Sequence, residues 1–266
     1  MEYQKELEFA KQLALDAGKI MQRYFRADDI GTITKKDDTP LTVADTQINQ
    51  LVINRVREQF PDHGVIGEEA SADTDKPFVW VVDPIDGTVP FSLGMPISMF
   101  SLALVDRGDG QAIVAVTYDP QLDQLYSAVQ NQGARLNNTP IATTSVASLQ
   151  NQVLPVHGGK VGEKYLLDAI KCLVPLRERG AKHFSFYSHI YPSVRIASGE
   201  IVGSILGYGS PWDSAAVSLI VMEAGGIATD IDGNVRRYDE FGKGSILAAN
   251  KEIHQQLVAV AREACA

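Results

Sequence analysis

Cysteine is nearly absent. Cys172 and Cys265 are the only two in 266 residues, too few and too scattered for a disulfide framework or a zinc site. They read as free thiols in a reducing compartment. Long apolar runs are missing as well: nothing approaches the roughly 20 residues that span a bilayer. The stretch from Met1 to Phe25 is charged and amphipathic, without the apolar core of a secretory signal. The expectation is a soluble, cytoplasmic protein with no membrane partner. Positive charge is also short, with 24 Lys and Arg against 33 Asp and Glu, a net charge of −9. No basic cluster overrides that balance, which argues against a nucleic-acid partner. No Cys sits in a motif and no Gly-x-Ser-x-Gly elbow occurs, so a covalent nucleophile has no support. The five histidines, at 63, 157, 183, 189 and 254, show no ligand spacing.

What is present fits a globular protein. Hydrophobic residues make up 45%, and the length suits one compact unit, residues 1–266, with lobes 1–150 and 151–266. Leu7, Ala10, Ala14, Ala17, Met21 and Tyr24 recur at helical spacing. A polar loop follows at Lys35–Pro40, and a second helix runs from near Thr42 to Pro61. Strands are predicted at Val65-Ile66, Phe78–Val82, Ser98–Val105, Ile113–Tyr118 and Gln124–Ala128, largely antiparallel, with turns at Asp109-Gly110 and Asn137-Asn138. The second half alternates: helix Lys164–Leu173, extended Lys182–Tyr187, short helix Pro192–Ser198, strand Ile201–Leu206, helix Asp213–Ala224, strands Ile227–Asp230 and Ser245–Ala248, helix Glu252–Arg262. The fold class is α/β. Asp230-Ile-Asp232-Gly-Asn234 and Asp106-Arg-Gly-Asp109-Gly look like the start of calcium loops, but the required spacing fails and both read as turns.

The densest chemistry lies in Trp80-Val-Val-Asp83-Pro-Ile-Asp86-Gly87-Thr88, a short loop after Gly67-Glu68-Glu69. Asp83 and Asp86 stand three residues apart where an apolar strand should end, with Pro84 expected to stop it and Gly87 to free the turn. Carboxylates forced together repel unless protons or cations neutralise them. A cluster of carboxylate and carbonyl oxygens, with no Cys or His among it, suits Mg²⁺ or Mn²⁺ rather than zinc. Alone, Pro-x-Asp-Gly is an ordinary turn. Asp213, after Ser210-Pro211, reads on spacing alone as a helix cap or dipole partner, and Thr42-x-x-Asp45 as a capping box. Glu69 reads as a solvated neighbour of Glu68.

Taken together, Glu68, Asp83-Pro-Ile-Asp86-Gly-Thr88 and Trp212-Asp213-Ser-Ala-Ala resemble the inositol monophosphatase family. That family belongs to the lithium-sensitive phosphatase superfamily, which also includes fructose-1,6-bisphosphatase. The likeness extends through Thr42-Val-Ala-Asp45 and Glu223-Ala-Gly-Gly226 to nearly the whole chain. It implies a layered αβαβα sandwich, a homodimer, and Mg²⁺-dependent hydrolysis of a small phosphorylated polyol or sugar by a metal-activated water. It further implies two or three ions, held by Glu68, Asp83 and the Ile85 carbonyl, by Asp83, Asp86 and Asp213, and more weakly near Glu68. In the same way, Asp45 and Thr88 become a hydrogen-bonded pair that takes the water's proton, with Glu68 in the catalytic set. Gly87 and Thr88 become the phosphate cradle, and Asp86, His189 and Asp213 the substrate contacts. The cap and base roles of Asp45 are compatible, because a carboxylate at a helix N-terminus stays ionised.

The sugar-facing positions depart from the family. Pro90 stands where an Asn is common, and Tyr187-Ser188-His189-Ile190 replaces a Gly-Ser/Thr-Ala-Ala stretch that contacts inositol. Leu206 replaces a Glu that bonds an inositol hydroxyl, and Val89-Pro90 the Lys-Glu pair of the bisphosphate nucleotidases. Inositol 1-phosphate is therefore expected to be surpassed by another ester; histidinol phosphate, sugar phosphates and fructose 1,6-bisphosphate are the family's other substrates. The competing reading is a non-catalytic regulatory or RNA-associated relative, against which the intact ligand set counts.

Overall fold

A computed structural model describes residues 2–27, 33–34, 40–161 and 164–265. Helix α1 (Gln4–Tyr24) leads to a ribbon of β1 (Ile33–Thr34) and β2 (Pro40–Leu41), then to α2 (Val43–Gln59). A seven-stranded sheet follows in chain order: β3 (His63–Gly67), β4 (Phe78–Asp86), β5 (Met99–Asp106), β6 (Gln111–Asp119), β7 (Gln124–Val129), β8 (Ala134–Leu136) and β9 (Thr139–Pro140). Only the β3–β4 pair is parallel, and α3 (Thr88–Ser92) sits between β4 and β5. Next come β10 (Val153–His157), the hairpin β11 (Gly159–Val161) and β12 (Lys164–Leu167), and α4 (Ala169–Glu178). The rest comprises β13 (Lys182–Phe184), α5 (Ile190–Ser193) with a 3₁₀ turn at Val194–Ile196, β14 (Gly203–Leu206), α6 (Ala215–Glu223), β15 (Ile227–Thr229), β16 (Ser245–Ala248) and α7 (Lys251–Cys265). Five strands form a second sheet in the order β13-β10-β14-β16-β15.

These elements stack in five layers with three apolar cores between them. Strand side chains alternate across a sheet, so Trp80 and Val82 join Met21, Ile48 and Val52 under α1 and α2. Val79 and Val81 point the other way, into a core shared with Leu219, Ile220 and Leu247. The outer core joins the second sheet to α4 and α7 through Leu154, Ile246, Cys172 and Leu257. Helix α6 is apolar all round because it is the middle layer, covered on both sides. The order is the expected αβαβα sandwich. Glu223, from the Glu-Ala-Gly-Gly motif, ties α6 to the first sheet by accepting from the amides of Asn131, Gln132 and Gly133.

Several expectations are corrected. Lys164–Leu167 is a strand paired with Gly159–Val161, and the helix starts only at Ala169 because the Asp168 carboxylate caps it, accepting from the Ile170 amide at 2.9 Å. Only Lys182–Phe184 of the predicted Lys182–Tyr187 strand is paired. The helix at 192–198 instead spans Ile190–Ser193 before tightening to 3₁₀. Pro84 does not end β4: the strand runs to Asp86, with its register broken between Asp83 and Asp86. A bulge tolerates a proline because no ladder hydrogen bond is asked of it. The turn at Asn137-Asn138 holds both residues at positive φ, as a tight hairpin requires. The Asp230 carboxylate closes its own turn by accepting from the Asp232 and Asn234 amides. Positions 35–39 of the predicted polar loop lie outside the described residues. Cys172 is buried, its thiol pushed up to about 12 by burial, and Cys265 is exposed. No helix of the described residues is long and apolar enough to cross a membrane.

Candidate active site

The bulge in β4 has a chemical result. It brings Asp83 and Asp86 to one spot, and the loop before α6 adds Asp213 from the second half of the chain. One carboxylate oxygen of each lies within 4.8 Å of the others. Asp83 Oδ1 is buried and accepts no hydrogen bond. Asp83 is held well above the usual carboxylate range, first by burial and then by the charges of Glu68, Asp86 and Asp213. Asp213, enclosed at its carboxyl while the residue stays partly open to the cleft, is pushed up to about 6, again chiefly by burial. Oxygen-only donors, mutual repulsion and an orphaned buried oxygen together fit a hard divalent cation.

Asp86 is the best anchored of the three. Its Oδ1 accepts from the His189 amide at 2.7 Å, and its Oδ2 from the Ser188 hydroxyl and the Ile190 and Tyr191 amides at 3.0 and 3.1 Å. One strand end of the first sheet is thereby fastened to the start of α5. Sequence reading placed His189 at the site but missed Ser188, whose role depends on a partner 102 residues away. Gly87 takes φ of +83°, where a Cβ would fall 2.6 Å from the Ile97 carbonyl oxygen, so glycine is required there. Ile85 offers its carbonyl beside the cleft and already accepts from the Thr88 hydroxyl at 3.0 Å. Glu68 lines the same cleft, outside the close aspartate trio.

Asp45 occupies both ends of a capping box. Its Oδ2 accepts from the Thr42 amide at 2.8 Å and the Thr42 hydroxyl at 2.5 Å, and its own amide donates to Thr42 Oγ1. The direct Asp45–Thr88 hydrogen bond that the resemblance implies is not made, because Thr42 has taken one partner and the Ile85 carbonyl the other. Asp45 Oδ1 stays buried and unpartnered, and burial outweighs the helix-end position expected to keep the group ionised, lifting it to about 7. Asp45→Asn separates the two roles. A cap alone should cost about 1 kcal/mol or less of stability, whereas a base acting through Oδ1 and a water should take most of the turnover with it. Turnover is expected to collapse with little change in Tm, and near-normal phosphate release would leave only the cap.

Asp213 precedes α6 rather than capping it: Ser214 occupies the cap, and its hydroxyl donates to the Ser210 carbonyl. The loop that carries Asp213 is pinned by Arg236, which no sequence signal marked. This buried guanidinium donates to the carbonyls of Gly209, Ser210 and Gly244 at 2.6, 3.1 and 3.0 Å and to the Ser245 hydroxyl at 2.7 Å. A lysine keeps the charge but cannot span both loops. Arg236→Lys should therefore cost about 1–3 kcal/mol of stability and raise the Mg²⁺ concentration needed for half-maximal activity. Unchanged Mg²⁺ dependence would detach Arg236 from the site.

The cleft holding these groups has a volume near 660 Å³. Besides Glu68, the aspartates and Thr88, its wall includes His157, His183 and His189, so three histidines without sequence spacing meet in space. The other two pack elsewhere: His63 stacks on Phe60 with centroids 5.0 Å apart, and His254 hydrogen-bonds Thr229 at 2.8 Å. Leu206 is buried in the central core and lies outside the cleft wall.

Layering and site together define a class, αβαβα sandwiches with an acidic cluster at the strand ends that could hold a metal ion. Within it, the profile of the inositol monophosphatase family matches residues 2–266, and the chain belongs to that family. It is 31% identical over 265 residues to an inositol-1-monophosphatase of Synechocystis sp., covering 94% of this chain and 86% of that protein. It is 33% identical over 256 residues to a histidinol-phosphatase of Chlorobaculum parvum, with 96% and 95% covered. The Nus factor SuhB of Escherichia coli is 28% identical over 260 residues, with 97% and 96% covered. Among solved structures, the IMPase of Thermotoga maritima superposes with a TM-score of 0.86 at 26% identity, covering 98% of each chain.

Proposed function

We propose that this protein is a Mg²⁺-dependent phosphomonoesterase, with Mn²⁺ as the alternative ion, that hydrolyses a small organic phosphate by attack of water. The observation that carries this is the trio Asp83, Asp86 and Asp213, converging at the floor of a cleft large enough for a small ester. A divalent cation held there supplies charge neutralisation for the phosphoryl group and a lowered pKa for water. The protein's own groups do the rest. Asp86, locked by three amides and a hydroxyl, cannot swing away, so the geometry is set before substrate arrives. Gly87 and Thr88, where β4 turns into α3, place their amides for the phosphate. The Thr88 hydroxyl, bonded to the Ile85 carbonyl, orients the attacking water. Asp45, held near neutrality by burial, accepts the proton, with Glu68 in support; such a pKa suits a general base at physiological pH.

The chain acts as one unit, 1–266, whose lobes 1–150 and 151–266 meet at the cleft and contribute Asp83 with Asp86 and Asp213 respectively. Family likeness supports a homodimer, cytoplasmic residence and lithium inhibition. Phosphorylated polyols and sugars are the esters that likeness suggests. The test is phosphate release from a panel of esters with and without Mg²⁺. Release that requires the ion supports the proposal. No release from any ester, with the ion bound, would favour the non-catalytic reading that the SuhB relatives raise.

A further inference from the structure

We infer that Arg195 is a positioning residue: it holds α5 so that the amides of His189, Ile190 and Tyr191 stay aimed at Asp86, and it thereby sets how tightly the aspartate trio binds its cation. This rests on the metal-dependent reading above.

The first support is that the cradle around Asp86 does not stand by itself. Asp86 accepts from three consecutive backbone amides, at 2.7, 3.0 and 3.1 Å, and from the Ser188 hydroxyl. Those amides open a helix of only four residues, Ile190–Ser193, with Pro192 within it. A single turn is unstable in isolation, and the proline has no amide hydrogen to add to the set. The chain also enters the cradle under strain. Tyr187 takes φ of +55°, a left-handed conformation that a bulky residue keeps only where its surroundings enforce it. Backbone donors held this way keep their aim only if α5 is fastened from its other end.

The second support is that Arg195 supplies that fastening. It lies in the 3₁₀ turn Val194–Ile196, four residues after Tyr191, so the two side chains share a face. Its guanidinium sits over the Tyr191 ring, 4.8 Å from the centroid. One nitrogen donates to Glu200 at 3.0 Å, and another to Gln124 Oε1 at 3.4 Å, 71 positions away at the start of β7. Gln124 pairs with Asp119 of β6, a buried carboxylate whose Oδ2 accepts no hydrogen bond. Burial lifts the Asp119 carboxyl, while amides of its own turn and then the Arg195 charge pull it back. The Arg195 carbonyl accepts from the Glu200 amide at 3.0 Å, so the turn closes on the residue that its side chain holds. Arg195 thus joins α5 to the sheet that carries Asp86.

An ordinary surface ion pair would not do this. The Glu200 side chain is 49% exposed, and a pair of that kind contributes little. The Arg195 side chain is only 17% exposed, and its other partners are the partly buried Gln124 and Tyr191, the latter packed on the central core. A lysine keeps the Glu200 pair but has no planar face for the ring and no second arm for Gln124.

The test compares Arg195→Met with Arg179→Met, which breaks a pair of similar exposure between α4 and α7, Arg179 to Glu263 at 2.6 Å. Calorimetric titration with Mn²⁺ reads the site directly, and Mg²⁺ activation of phosphate release reads it in turnover. Arg195→Met should weaken Mn²⁺ binding about five-fold or more and raise the Mg²⁺ concentration for half-maximal rate by a similar factor. Arg179→Met should lower Tm without moving either quantity. Tyr191→Ala should match Arg195→Met, and the double variant should be no worse than either, because both break the same stack. If Arg195→Met misfolds, Arg195→Lys, which should lose part of the affinity, and Tyr191→Ala carry the comparison. An Arg195→Met protein that binds Mn²⁺ as the unaltered protein does, or an equal loss in Arg179→Met, would overturn the positioning role and leave the phosphatase intact. An unaltered protein that binds no Mn²⁺ and releases no phosphate would overturn both.

Discussion

Asp83→Asn should lose kcat by about three orders of magnitude or more and, in excess chelator, should melt higher than the unaltered protein. Both effects come from one cause. Asp83 is buried among Glu68, Asp86 and Asp213, and in the absence of a cation its charge has nothing to balance it. An amide of the same shape removes that repulsion, so the metal-free fold gains. The same change removes an anionic oxygen from the trio, so a cation bound there would lose a ligand and turnover would fall with it. Melting curves in chelator and single-turnover phosphate release with Mg²⁺ read the two sides separately. A variant that is both active and no more stable would show that the trio is an ordinary buried cluster rather than a cation site.

Chelation of the native protein should bring phosphate release down to background, and Mg²⁺ should restore it. The stability of the chelated protein carries a further signature. Without a cation, Asp45 sits at about 7 and Asp213 at about 6, each raised mainly by burial from an ordinary value of 3.8. Folding therefore takes up protons between about pH 4 and pH 7. The contribution is fully present below the ordinary carboxyl range and is lost as pH rises through the folded values. Tm in chelator should fall from pH 5 to pH 7.5, and Mg²⁺, which favours the ionised carboxylates, should flatten that fall. Asp83→Asn should also make it shallower. A chelated protein whose Tm is level across this range, together with activity untouched by chelator, would rule out a cation at the trio.

Much of the site was legible as short-range pattern. The strand before Asp83, the glycine after Asp86 and the capping box at Asp45 are all encoded within a few residues, where periodicity and backbone stereochemistry act directly. The helix placed at Lys164–Leu173 went astray because Asp168 and the Gly159–Val161 partner strand outweigh the helical spacing of the apolar residues there. Pro84 was read as a strand terminator, and only the register against β5 shows it as a bulge.

The sequence by itself determined the family, the strand that leads to Asp83, the glycine turn after Asp86 and the capping box at Asp45. These follow from motifs and residue types at fixed local spacing. The tertiary structure alone decided how the cleft is finished: that Ser188 and three amides lock Asp86, that Arg236 holds the loop of Asp213, and that His157, His183 and His189 share one wall. Those contacts join residues far apart in the chain, 102 positions in the case of Ser188 and Asp86. Their chemistry exists only once two sheets and the layer of α6 have packed and brought the separate strand ends to a common edge.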